Sequence, residues 1–103
     1  MIVKIRPVTG QAAPGKLADA ELHFTDGVLE GMKLVGFGIW ERRSGGGRNV
    51  TFPSRQYTLQ GGERHHFALL RPIAEAMPQQ RVRDLVLKAY AAFEEEQASE
   101  AAS

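Results

Sequence analysis

Ala18-Asp19-Ala20-Glu21-Leu22-His23-Phe24-Thr25-Asp26-Gly27 is the stretch on which the fold turns. Its alternation puts Ala18, Ala20, Leu22 and Phe24 on one face and Asp19, Glu21, His23 and Thr25 on the other, the period of a strand with one side buried and one in water. Asp26-Gly27 is a two-residue hairpin signal that favours a type I′ turn, so the strand opening at Val28 is expected to return antiparallel against residues 18–25. Residues 28–41 continue in strand-like fashion through Val28, Leu29, Met32, Leu34, Val35, Phe37, Ile39 and Trp40. Gly31, Gly36 and Gly38 interrupt them and predict a bulge or bend, as a small sheet needs to wrap over a single helix.

On the N-terminal side, Ile2, Val3, Ile5 and Val8 around Lys4 and Arg6 predict a short strand over 2–8, closed by Thr9-Gly10 and a loop through Gly15. On the C-terminal side, Glu41-Arg42-Arg43-Ser44-Gly45-Gly46-Gly47-Arg48 is an exposed glycine tip between arginines, followed by a strand over 49–52 that Pro53-Ser54 ends. Arg55-Gln56-Tyr57-Thr58-Leu59, a turn at Gln60-Gly61-Gly62-Glu63, and a last strand over 64–70 come next. Val82, Leu85, Val86, Ala89, Tyr90 and Phe93 then recur at i, i+3, i+4, i+7, i+8 and i+11, the apolar stripe of a helix from Pro78 to Glu96. Asp84 and Lys88 are spaced as an i, i+4 ion pair. The expected fold is α+β: a twisted antiparallel sheet of about five strands and a C-terminal amphipathic helix, in a single domain over 1–96 with an acidic, disordered tail over 97–103.

The chain has 103 residues, 43% apolar and 24% charged, which is one ordinary globular domain too small for a core and a deep private active site together. It has no cysteine, so disulfides, thiolate metal sites and thiol catalysis are excluded. No run approaches the roughly 20 apolar residues of a membrane span, and Met1–Pro7 lacks a signal-peptide core, so the sequence reads as cytoplasmic.

Specific chemistries fare poorly. Gly10 to Lys16 matches the first seven positions of a phosphate-binding loop, but Leu17 stands where Mg²⁺ ligation needs Ser or Thr, and a strand follows where a helix is required. His65 and His66, adjacent on a strand, point to opposite faces and do not share a metal. The serines show no nucleophile elbow, and no spare carboxylate pair exists for acid–base work, so the expectation is a protein that is not an enzyme.

Charge is segregated along the chain. Residues 1–93 hold all thirteen basic side chains against eight acidic ones, while Glu94, Glu95, Glu96 and Glu100 make the end acidic. Residues 40–72 carry six arginines against Glu41 and Glu63, and no lysine. The planar fork of arginine suits phosphate, so this segment is the candidate contact surface. An exposed Trp40 or Tyr57 beside it would stack on a base, although packing in the core or in a dimer competes for both rings.

Taken in order, Ala18-x-Ala20-x-Leu22-x-Phe24, Val28 through Val35, Phe52-Pro53-Ser54-Arg55, Arg71-Pro72-Ile73, and Val82, Leu85, Val86 and Tyr90 resemble the bacterial stage V sporulation protein G (SpoVG) family of septation and gene-expression regulators. The likeness spans about residues 1–92. It implies a homodimer without a cofactor that binds DNA and RNA, with Arg55 at the family's basic position after Pro-Ser. Gln56 and Arg71 depart from the family pattern, which has a second basic residue and a His at these places.

The expected contact residues are Arg42, Arg43, Arg48, Arg55 and Arg64. A competing expectation is a dimeric, non-enzymatic protein-interaction module whose arginine-rich hairpin docks an acidic partner. A further one has the acidic end from Glu94 onward cover the basic face and inhibit binding. Leu87, Ala91 and Ala92, off the main helix stripe, point to a two-fold dimer.

Overall fold

The inner face of the Ala18–Leu22 strand is where the molecule closes. In a computed structural model that describes residues 1–8, 13–43 and 45–102, Ala18, Ala20 and Leu22 are buried together with Phe37, Ile39 and Val50 from neighbouring strands and with Val86 and Tyr90 from the helix. The elements run β1 (Ile2–Pro7), β2 (Lys16–His23), β3 (Lys33–Glu41), β4 (Arg48–Thr51), β5 (Ser54–Thr58), β6 (Arg64–Ala68) and α1 (Met77–Ala102). The expected α+β class is therefore observed.

The strands form two sheets. β1–β2–β3–β4 is an antiparallel four-stranded meander in sequence order, and β5–β6 is a separate two-stranded ribbon. The helix crosses the inner face of the meander and touches both its edge strands, β1 and β4. Phe37 meets Phe52 edge to face, with ring centroids 5.2 Å apart and planes at 61°, the geometry that aromatic quadrupoles favour.

Four differences from the sequence reading have physical causes. The β2–β3 connection is longer than an Asp-Gly turn. The Phe24 amide donates to the Met32 carbonyl at 2.9 Å and the Gly31 amide to the Phe24 carbonyl at 3.0 Å, so β3 opens at Lys33, opposite His23. A type I′ turn needs positive φ at both central residues, and only Gly27, at 76°, has it. Val28, expected in a strand, is fully exposed on this turn.

Second, the expected bend is a shift in register between Ala20 and Leu22, with Val35 and Gly36 as the extra length on β3. Gly36 sits at φ 112° with its Cα side against Pro53, where an added Cβ would lie 3.2 Å from the proline Cβ. Both the backbone conformation and the close approach require glycine.

Third, the helix does not end at Glu96 but runs to Ala102, because Glu94–Ala102 is rich in the helix formers Glu, Gln and Ala. Fourth, Asp84 does not hold Lys88; its carboxylate accepts the Gln80 amide at 2.8 Å. The expected loop at 9–12, with the start of the phosphate-loop match, and the tip residue Ser44 lie outside the described residues. Among those described, no helix is long and apolar enough to cross a membrane.

Candidate nucleic-acid interface

Pro53 creates the site by ending one sheet and aiming the chain into another. It has no amide hydrogen to continue the β4 ladder, and it is buried against Gly36, which fixes the exit direction after Phe52. The Pro53 carbonyl then accepts the Leu69 amide at 2.9 Å and closes the base of the ribbon. All ten residues of β5 and β6 are exposed. A ribbon with neither face buried does not contribute to the core, so its side chains are available for contacts.

Pairing sorts these side chains. Arg55 lies opposite Phe67 and Tyr57 opposite His65, which puts these four on one face; Gln56 opposite His66 and Thr58 opposite Arg64 belong to the other. On the first face the Tyr57 and His65 rings stack at 5.6 Å with planes 23° apart. The Arg71 guanidinium lies 4.6 Å from the centre of the Phe67 ring, a cation–π contact. His65 Nε2 is also 3.3 Å from Glu63 Oε2 at the turn, Glu63 being the only acidic residue between Phe52 and Pro72.

The five arginines expected to act together are divided among three settings. Arg55 and Arg64 are exposed on opposite faces of the ribbon. Arg42 and Arg43 are exposed at the β3–β4 turn, where the Arg42 amide donates to the Gly47 carbonyl at 3.1 Å. Among the described residues, none of these four takes part in an ion pair. Pro14, Gly15, Trp40 and the acidic Glu41 join Arg42 and Arg43 around an open cleft. Trp40 itself is half-buried: its indole donates to Thr51 Oγ1 at 2.9 Å, and Lys16 Nζ lies 5.6 Å from its ring. It is held as a packing residue more than as a free stacking surface.

Arg48 is committed elsewhere. Its Nη2 donates to Glu94 Oε2 at 3.0 Å, its Nη1 is 3.8 Å from Glu41 Oε1, and its guanidinium carbon is 5.9 Å from the centre of the Tyr90 ring. The hydrogen bond it donates to Glu94 raises its pKa above the ordinary arginine value. Burial raises that of Tyr90. This arginine fastens β4 to the helix and, unlike the other four, is not a free cation. Here Glu94, the first carboxylate of the acidic end, meets a basic side chain.

Outside the arginine segment, the outer face of the meander carries an ion cluster that the sequence did not suggest. Glu21 is largely buried and lies 2.9 Å from His23 Nε2, 3.1 Å from Arg6 Nε and 3.5 Å from Lys33 Nζ. The His23 contact first, and then the Arg6 hydrogen bond, lower its pKa from 4.5 to about 2. Arg6, His23 and Lys33 all converge on the Glu21 carboxylate, so the cluster ties β1, β2 and β3 together. Among the described residues, no group of three or more His, Asp or Glu is placed to hold a metal.

The sequence reading did not anticipate Phe67, His65 or Arg71 as site residues. A signal was present for Arg71: residues 67, 69 and 71 share one parity, so an extended chain puts Arg71 on the face of Phe67. Comparison of the chain with protein-family models, with curated proteins and with solved structures finds no match.

Proposed function

We propose that the protein is a nucleic-acid-binding regulator, of DNA and RNA, that contacts phosphates through Arg42, Arg43, Arg55 and Arg64, with Arg71 added. The observation that carries this is the β5–β6 ribbon, which is exposed on both faces and holds Arg55 and Arg64, with Arg71 just beyond β6 and Glu63 as the one acidic residue in the sequence between Phe52 and Pro72. Exposed arginines without carboxylate partners are free to bind phosphate, and a two-stranded ribbon is one of the elements that a major groove admits. The resemblance to SpoVG-type regulators of septation and gene expression supports the same reading.

The proposal includes a homodimer. The chain exposes 7858 Å², whereas a compact monomer of 11.3 kDa exposes about 5,700 Å². Its Cα radius of gyration is 15.6 Å, against about 13 Å for a compact globule of this length. The excess, about 2,000 Å², is enough for a self-contact of ordinary size. Val28, Leu29, Met32 and Val35, all exposed on or next to the β2–β3 turn, supply apolar surface for it.

Charge reversal tests the phosphate contacts. Arg55→Glu with Arg64→Glu, and separately Arg42→Glu with Arg43→Glu, should each weaken binding to labelled nucleic acid at least tenfold, while Arg48→Gln should leave its salt dependence unchanged. Unchanged affinity in both double variants overturns the site. The second reading, a protein-interaction module, draws on the apolar groove lined by Phe52, Leu70, Pro72 and Val82. It would be favoured by a partner that stays bound after nuclease treatment.

A further inference from the structure

We infer that the Arg55–Tyr57–His65–Phe67 face of the ribbon is a stacking platform for the bases of single-stranded nucleic acid. The inference rests on the nucleic-acid reading above and deepens it, because it names the form of the ligand and the side chains that engage bases rather than phosphates.

Three observations lead to it. First, the pairing register places two planar units on this one face: the Tyr57–His65 stack and the Phe67 ring under Arg71. Tyr57 and Phe67 remain 42% and 44% exposed, although ring surface of this size is ordinarily buried. The opposite face of the same ribbon carries no aromatic carbocycle; its paired side chains are Ser54, Gln56, Thr58, Arg64, His66 and Ala68.

Second, the spacing suits an extended strand. Successive residues on one face of a strand are about 6.8 Å apart, twice the roughly 3.4 Å per nucleotide of each strand in a duplex. Bases engaged one per rung are therefore separated from one another, as in an unstacked single strand. In a duplex both faces of each base are covered by its neighbours, so this surface has nothing to grip there.

Third, the charge is complementary. Arg55 and Arg71 border the rings, and each is able to bind a phosphate or to offer its own guanidinium plane to a base. Glu63, at the turn end, is the one acidic residue in the sequence between Phe52 and Pro72, and its carboxylate lies 3.3 Å from His65 Nε2.

The test is fluorescence anisotropy with labelled oligo(U) and oligo(dT) of about twelve nucleotides and with a duplex of the same length, over a salt series. The stacking account expects single strands to bind more tightly than the duplex. Tyr57→Ala and Phe67→Ala should each weaken single-strand binding by roughly five- to 150-fold with the salt slope unchanged, since no phosphate contact is lost. Tyr57→Phe keeps the ring and should restore binding. Both positions are exposed, and the thermal transition of each variant reports whether the fold is intact.

Wild-type binding that favours the duplex, or single-strand affinity indifferent to both alanine variants, overturns the stacking platform while the nucleic-acid function stands. Absence of binding to any of the probes at low salt overturns that function, and the platform with it.

Discussion

Arg48 and Glu94 are 46 residues apart in sequence and 3.0 Å apart in the structure. The contact joins the first residue of β4 to the last third of the helix, over the ring of Tyr90. It turns one arginine of a basic segment into a structural fastening and spends a carboxylate of the acidic end on it. Arg42, Arg43, Arg55 and Arg64 project from two hairpins, and this division between held and free cations is the basis of the proposed interface.

Loss of this pair should be felt mildly in stability. Both side chains are more than a third exposed, so solvent screens the pair, and Glu94→Gln should cost less than about 1 kcal/mol in urea unfolding. If the acidic end also masks the basic surface, deletion of 94–103 tightens nucleic-acid binding beyond what Glu94→Gln does; equal affinity with and without it ends the self-inhibition idea.

Phe37→Ala should cost about 3–5 kcal/mol in chemical denaturation. The ring is fully buried, meets Phe52 edge-on and leaves a cavity under the helix when removed. A loss below about 1 kcal/mol would mean that the helix does not close on the meander as described.

Gly36→Ala and Gly46→Ala form a contrasting pair. At Gly36 the φ of 112° and the 3.2 Å approach to Pro53 both oppose a Cβ, so the alanine variant should lose about 1–3 kcal/mol. It should also disturb the ribbon, whose base Pro53 fixes. At Gly46 nothing lies within 4 Å of an added Cβ, and the change should stay within about 0.5 kcal/mol. Melting curves of the two variants give the comparison directly.

Acid should act through Glu21. Its folded pKa of about 2 lies below the ordinary 4.5, so folding favours the ionised form. The stabilisation is fully present above about pH 4.5 and is lost as pH falls through the folded value near 2. Urea midpoints for wild type and Glu21→Gln should therefore differ most above pH 4.5 and converge toward pH 2. A constant difference across that window would show that the ion cluster with Arg6, His23 and Lys33 is not what stabilises the outer face.

The dimer has a direct test in light scattering at tens of micromolar, where a mass of twice 11.3 kDa is expected. Val28→Glu with Met32→Glu should shift the mass toward the monomer if the apolar β2–β3 turn makes the contact. A monomer mass for the wild-type chain contradicts the dimer.

The parts of the fold that were legible are those in which one periodicity runs unbroken. Ala18, Ala20 and Leu22 alternate into the core, and Val86 and Tyr90 lie on the helix stripe, because burial imposes periods of 2 and 3.6 on any chain that packs this way. Val28, Leu29 and Met32 misled because apolar composition reads as strand, although an isolated chain does not reveal that these residues face water. The break between meander and ribbon depends on the packing of Pro53 against Gly36, a contact between residues seventeen apart, and a local reading carries no such information. The same holds for Arg48: its charge was legible, but its partner is 46 residues away in sequence.

The central claim is that this chain binds nucleic acid through free arginines, and a salt series on the wild-type protein tests it most directly. Anisotropy with labelled duplex DNA and single-stranded RNA should show log affinity falling linearly with log salt, by about 0.9 per phosphate contact for duplex and about 0.7 for single strands. The slope should drop by about one contact for each reversed arginine among Arg42, Arg43, Arg55 and Arg64, and not for Arg48→Gln. No binding to either probe at low salt would contradict the account.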